Sequence, residues 1–212
     1  MTVEKPAAPI SPRLLRKRRL QLIALFAIFV VPVAGSWILF YTVDLSKLSK
    51  GNYGELVQPV RPLPLTDFRG PADETVAAEI LRGHWSLLQL GIGPCGEVCR
   101  DNLFKTRQVH ARLNKDMGRV QRVMIQLDGY EQEDAEYFRL QQPDLTRLSV
   151  DSERVNDFLS RFSFPEAPDA ARSGRVFLID PMGNLMMWYR PDQDPSGLLK
   201  DLTRLLKYSQ VG

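Results

Sequence analysis

From Leu20 to Val43 the chain runs 24 residues without a charged side chain. A helix needs about 20 apolar residues to cross the hydrocarbon core of a bilayer, so this run is long enough, with some tilt. Pro32 and Gly35 fall inside it, and both are tolerated in membrane helices. Trp37 and Tyr41 sit near its far end, where an aromatic belt is expected. A cleaved signal peptide has a shorter apolar stretch. Here Trp37-Ile38-Leu39-Phe40 carries the run past Ala34-Gly35-Ser36, so the pattern predicts an uncleaved transmembrane anchor over 20–43.

Beyond the anchor the pattern changes to short, soluble-type elements. Residues 44–75 hold Pro59, Pro62 and Pro64, a spacing that forbids a helix and predicts an extended, proline-rich tether and lead-in. Thr66-Asp67-Phe68 is a candidate short strand or lid. His84 to Leu90 reads as a buried strand. Leu103, Phe104, Val109 and Leu113 recur at helical spacing and predict a helix over Arg100–Met117. Val120, Val123, Ile125 and Leu127 mark a second strand ending at Asp128. A short acidic helix is expected over Glu133–Leu140 and another over Ser152–Phe162. Arg175–Ile179 is a third strand. Asp180-Pro181-Met182-Gly183-Asn184 has hairpin-turn chemistry, and Leu185–Tyr189 returns. Ser196–Tyr208 closes the chain as a helix with Leu198, Leu199, Leu202, Leu205 and Leu206 on one face. The order βαβα, then a hairpin and a helix, predicts an α/β, thioredoxin-like domain over 76–212: a central mixed sheet flanked by helices.

Charge fixes the orientation of this layout. Residues 1–20 hold six of the 28 Lys/Arg and one of the 25 Asp/Glu, a net of +5, which leaves 22 against 24, or −2, for the rest. The basic tail, 1–19, precedes the span. The positive-inside rule therefore predicts a cytoplasmic N-terminus and a domain on the far side of an inner membrane, in the periplasm. The basic excess is a topology signal and gives no case for a nucleic-acid partner.

The chain has two cysteines, Cys95 and Cys99, in Gly93-Pro94-Cys95-Gly96-Glu97-Val98-Cys99. They follow the first strand and open the first helix of the domain. A helix N-terminus lowers thiol pKa, which makes such cysteines nucleophiles or soft-metal ligands. In an oxidising compartment they can pair, but so small a loop adds little stability. Redox or metal chemistry is the better explanation, with Cys95, at the loop-to-helix junction, expected to be the more exposed and more reactive thiol. The acids Glu131, Glu133, Asp134 and Glu136 read as a solvated helix face, and Glu97 as exposed. Met186 and Met187, adjacent on a strand, must point to opposite faces, which suits core packing better than a shared metal.

These residues resemble the SCO proteins (synthesis of cytochrome c oxidase), which are membrane-anchored thioredoxin-like domains. The likeness covers roughly 50–208. It rests on the proline-rich Leu56–Leu65, the C-x-x-x-C pair Cys95 and Cys99, the strand end Ile125-Gln126-Leu127-Asp128, and Phe177-Leu178-Ile179-Asp180-Pro181-Met182-Gly183-Asn184. The resemblance implies copper bound by the two cysteines and one distant histidine, for delivery to cytochrome c oxidase, or reduction of cysteines in the target site. The implied partners are an oxidase subunit or another assembly factor.

Two positions depart from that pattern. Arg100 stands where the family has a proline after the second cysteine, and Arg172 or a neighbour stands where it has its histidine. The only histidines are His84 and His110. His110 lies eleven residues beyond Cys99 on the same helix, roughly 16 Å away. The domain also lacks a proline immediately before the third strand, where thioredoxins place their cis-proline. Copper handling, thiol–disulfide exchange (the one enzymatic activity the motif suggests, whether for this target or as a general oxidoreductase) and a redox-inert interaction module therefore stand side by side. Copper, if carried, would be held by Cys95 and Cys99.

Overall fold

The computed structural model describes residues 12–42, 51–64, 66–129, 134–164 and 169–209. Val43, Leu65, Glu131 and Glu133, which carry expectations above, lie outside them, as does the basic tail up to residue 11. The chain divides into two compact units, Met1–Gly51 and Asn52–Gly212.

The first unit is one helix, α1 (Pro12–Thr42). Its stretch Arg16–Leu39 is long and apolar enough to cross a membrane. Pro32 interrupts its hydrogen bonding without ending it, and the Ser36 hydroxyl donates to the Pro32 carbonyl at 2.8 Å. Large apolar side chains such as Leu20, Phe26, Phe29, Trp37 and Tyr41 point outward, the reverse of a soluble helix and the arrangement a lipid environment requires.

The second unit is built on one eight-stranded mixed sheet. Its strands in chain order are β1 (Glu55–Pro62), β2 (Phe68–Arg69), β3 (Thr75–Val76), β4 (Trp85–Gly91), β5 (Val120–Gln126), β6 (Leu145–Ser149), β7 (Val176–Ile179) and β8 (Asn184–Tyr189). Across the sheet the order is β1-β8-β7-β4-β5-β6-β2-β3. β4, β5 and β6 run parallel; β7 pairs antiparallel with β4, and β8 with β7. The helices are α2 (Glu97–Arg112), α3 (Ala135–Gln141), α4 (Val155–Ser160) and α5 (Pro195–Tyr208).

Alternation along β4 explains the two layers. Trp85 and Leu87 face Val109 of α2 and Leu198, Leu202 and Leu206 of α5. Leu88 and Leu90 face the other way, onto Phe158 and Phe162 at α4. Both faces of the central strand are covered, so every residue of β4 is buried, as a parallel-type strand between two helical layers must be.

Several expectations change. Residues 55–62, read as tether, form β1 on the sheet edge, paired to β8 with a register shift between Leu56 and Arg61 that accommodates Pro59. β6, which carries no strong strand pattern, is a core strand parallel to β5. The expected long helix stops at Arg112 and is followed by a 3₁₀ turn, Asn114–Arg119, with Asn114 in the left-handed region at φ 51°. Phe104 is 58% exposed. It lies one helical step off the Leu103–Val109 stripe, where Asn102 and Thr106 take the buried places instead. Over Ser152–Phe162 the chain makes a 3₁₀ turn and only six residues of α-helix. Met187 is buried and Met186 half-buried, and both pack against the cluster of Leu198, Leu202 and Leu206 rather than on opposite faces, because the β7–β8 pairing shifts register at this point and breaks the alternation.

Candidate functional site

Cys95 and Cys99 are joined by a disulfide, with their Cα atoms 5.3 Å apart. Gly96 is the N-cap of α2. Cys99 is therefore the third residue of the helix, inside its first turn, while Cys95 sits one residue ahead of the cap in the turn from β4. The site lies at the carboxyl ends of parallel β4 and β5, the end of an α/β sheet where ligands ordinarily bind.

The burial of the two sulfurs is the reverse of the sequence expectation. Cys95 is 4% exposed and packs with Leu103, Met124 and Phe138; Cys99 is only partly buried at the edge of that cluster. The turn carries Cys95 beneath the start of α2 rather than out from it. Its main chain is held on both sides. Asp134 Oδ2 accepts the Cys95 N–H, and Arg100 Nε donates to the Cys95 carbonyl at 2.9 Å. Arg100 Nη2 closes the ring on Asp134 Oδ1 at 3.0 Å, and its guanidinium stacks over Tyr137 at 4.7 Å. Asp134 is thus buried rather than part of a solvated acidic face; Glu136 and Glu97 are exposed. Sequence reasoning missed Asp134, and the one signal pointing to it was Arg100 in the family's proline position.

The loop ahead of Cys95 is fixed by the end of β5. Gly93 N–H donates to Asp128 Oδ2 at 2.6 Å, and Gln126 Nε2 donates to the Gly93 carbonyl at 3.2 Å. A Cβ at Gly91 would fall on the Gln126 side-chain oxygen, so a larger residue there would displace the amide that holds the Gly93 carbonyl. This gives Asp128, picked out in sequence only as a strand end, a role in shaping the site.

A cavity of about 360 Å³ opens over the disulfide, lined by Gly93–Cys99, Asn102, Met124, Ala171, Arg172 and Gly174 among others. Antiparallel pairing explains how the 171–174 turn arrives there. Val176 of β7 lies beside Gln89, near the cysteine end of β4, whereas Ile179 lies beside Ser86 at the far end. Asn102 Nδ2 donates to the Gly174 carbonyl, and Gly174 adopts φ 62°, with Val98 only 2.7 Å from where a Cβ would stand. The same pairing sends Asp180 and Met182 to the opposite edge. There Asp180 accepts the Met182 and Asn184 N–H groups and shapes the hairpin.

Arg172 thus shares the cavity with both sulfurs. The histidines do not. His84 is exposed at the start of β4, and His110 Nε2 bonds the Val120 carbonyl at 2.7 Å. Among the described residues no group of three His, Cys, Asp or Glu is arranged to hold a metal ion. The soft donors lining the cavity are the two cysteines and the thioether of Met124.

Residues 85–209 match the family described as transmembrane-like, thioredoxin-like, C-terminal domain. The chain belongs to that family. No curated protein sequence matches it. In three dimensions it is similar to the apo Sco1 protein of Thermus thermophilus, with a TM-score of 0.59 at 21% identity over 73% of this chain and 96% of that one. Copper-bound ScoI of Arabidopsis thaliana gives 0.57 at 19% identity, covering 69% and 99%. BsSco, a member of the Sco family of cytochrome c oxidase assembly proteins in which a disulfide switch was identified, gives 0.55 at 14%, covering 73% and 99%. Likeness at these identities shows a shared thioredoxin-like fold, as the cysteine motif and element order led one to expect.

Proposed function

We propose that this chain is a membrane-anchored, periplasm-facing thiol–disulfide factor for assembly of a respiratory cytochrome c oxidase, acting on target-site cysteines through Cys95 and Cys99. The observation that carries this reading is the disulfide itself, set at the start of α2 beneath an open cavity that Arg172 shares. A paired dithiol reachable from solvent can pass two electrons to, or take them from, a partner's cysteines. Arg172 contributes a permanent positive charge, which favours an anionic sulfur and disfavours a cation. The Sco-like fold supplies the link to oxidase assembly, and the basic residues Arg13 to Arg19, at the start of α1 and ahead of its apolar stretch, support the N-in orientation.

Met124 favours a second reading in which the reduced pair carries Cu(I) as cargo. Two thiolates and a thioether suit Cu(I), whereas Cu(II) is better served by imidazole nitrogen, and no histidine lines this cavity. A redox-inert interaction module is the remaining alternative.

The test is made in the membrane. With both Cys95 and Cys99 replaced by serine, the chain should still insert, while assembled oxidase, read as cytochrome c oxidation and haem absorbance, should fall. Full oxidase levels with the double serine variant would turn the reading toward the inert module. A reporter enzyme active only in the periplasm, fused after residue 212, should be active; an inactive fusion would overturn the orientation.

A further inference from the structure

We propose that Cys99, not Cys95, is the sulfur that exchanges with the partner, and that Cys95 is the resolving thiol. This rests on the thiol–disulfide reading above and reverses the order in which a helix-opening cysteine pair is ordinarily used, first cysteine outward.

Three independent observations carry it. The first is access. Both cysteines line the cavity, but Cys95 is 4% exposed and lies among Leu103, Met124 and Phe138, whereas Cys99 is only partly buried at the edge of that cluster. A partner sulfur must approach along the axis of the bond it breaks, and the packing of Leu103, Met124 and Phe138 around Cys95 hinders that approach more than the surroundings of Cys99 do. The second is the helix. Cys99 occupies the first turn of α2, where amide groups lack intrahelical acceptors and favour negative charge. The Cys95 amide, by contrast, is already committed to Asp134. The third is the clamp. Asp134 and Arg100 grip Cys95 at its N–H and its carbonyl, so its backbone stays in place when the disulfide opens. A resolving thiol needs that fixed position, because it must find one target only, the Cys99 sulfur, across a Cα separation of 5.3 Å.

In the reduced chain the Cys99 thiolate attacks one sulfur of a partner disulfide. The Cys99–partner bond forms, the partner's bond breaks, and the electron pair leaves on the partner's second sulfur, which takes up a proton. Cys95, losing its proton to solvent, then attacks the Cys99 sulfur. The Cys95–Cys99 bond forms and the partner's first sulfur leaves as a thiol. Two electrons have passed to the partner, and a second dithiol protein facing the same compartment must reduce the pair again. Arg100 and Asp134 act through Cys95 and are positioning residues.

The experiment uses the full chain in detergent micelles, with glutathione disulfide and iodoacetamide as probes. After reduction, limiting iodoacetamide should label Cys99 faster than Cys95 in the unmodified sequence, on the order of ten-fold, as expected for an accessible thiol beside a shielded one. Cys95→Ser should accumulate a stable glutathione adduct on Cys99, and Cys99→Ser should form its adduct much more slowly. Labelling of Cys95 first, with trapping in Cys99→Ser, would overturn the assignment while leaving the redox reading intact, since the unmodified chain would still close its disulfide. Failure of the unmodified chain to exchange with glutathione at all would overturn both. The labelling order in the unmodified chain does not depend on whether either variant folds.

Discussion

Asp134 accepts the backbone N–H of Cys95, placing a buried carboxylate from the far side of β5 directly on the cysteine loop. Because Arg100 binds the other carboxylate oxygen and the Cys95 carbonyl, Cys95, Arg100 and the sequence-distant Asp134 form one ring. Asp134→Ala removes the acceptor and leaves a buried N–H without one, a loss of about 1–3 kcal/mol, to be read by urea unfolding of the oxidised chain. Asp134→Asn keeps an acceptor but loses the charge pair. Its glutathione adduct on Cys99 should persist several-fold longer than in the unmodified chain, because Cys95 is less well held for resolution. An unchanged adduct lifetime would reduce Asp134 to a purely structural part.

Much of this arrangement was legible in the sequence, and the rest was hidden for definite reasons. The β4–α2–β5 order followed from the apolar runs, and the 175–189 hairpin from Asp180 and Gly183, because period and turn chemistry are local. The 24-residue uncharged run gave α1 for the same reason. The burial of Cys95 did not follow, since it depends on Met124 and Phe138 packing from elements that follow it. Asp134 looked like one acid among four until Arg100 was seen to reach it. β6 escaped because Leu145 and Thr146 are only half-buried and the strand is defined by its partner β5. β1 looked like a tether because its prolines are tolerated only by virtue of its edge position, a tertiary fact.

Acid should weaken the domain through Asp144. Arg122 is 1% exposed and binds Asp144 at 3.0 Å, the Leu103 carbonyl, and the Gln142 side chain. Burial lowers the Arg122 pKa, but an arginine starts so high that it stays charged. For Asp144, partial burial acts upward, yet the hydrogen bond and charge of Arg122 outweigh it and the net shift is down from 3.8. A lowered folded-state pKa adds stability that is complete above the ordinary carboxylate range and is lost as pH falls through the folded value. Unfolding midpoints should therefore drop below about pH 4, and less so in Asp144→Asn. Parallel acid profiles for the two proteins would remove Asp144 from the explanation.

Alkali should act through Tyr189. Asp201 Oδ2 accepts the Tyr53 and Gly54 N–H groups at 2.8 and 2.9 Å and the Tyr189 hydroxyl at 3.1 Å, so it fastens the start of β1 to α5. Burial, then the Asp201 charge, pushes the Tyr189 pKa up from 10.0. A raised folded-state pKa gives stability that is present below the unfolded value and is lost as pH rises above it, so stability should decline beyond about pH 10. Tyr189→Phe should flatten that decline at a cost of about 1 kcal/mol, and Asp201→Ala should cost about 3 kcal/mol by stranding three donors. Urea midpoints across pH measure both; a Tyr189→Phe profile as steep as the original would refute the link.

Arg172 offers the sharpest test of what the site holds. The cavity presents two sulfurs and the Met124 thioether, and Arg172, which the resemblance places at or near the family's histidine, lines it as well. The reduced domain should therefore hold Cu(I) in preference to Cu(II). Replacing both cysteines by serine should abolish Cu(I) binding, and His84→Ala should leave it intact, since His84 is exposed at the other end of β4. His110→Ala should leave it intact as well, at some cost in stability through the lost bond to Val120. Arg172→His removes a permanent cation from the cavity and adds an imidazole. Cu(II) affinity should then rise on the order of ten-fold or more, the scale on which one well-placed group changes a metal site, with a new sulfur-to-copper charge-transfer absorbance. Thiol exchange should respond in the opposite sense, with Cys99 labelled more slowly by iodoacetamide once the positive charge is gone. If Arg172→His gains no Cu(II) and leaves Cys99 labelling unchanged, Arg172 is a bystander at the rim and the site's preference for thiol chemistry must come from α2 alone.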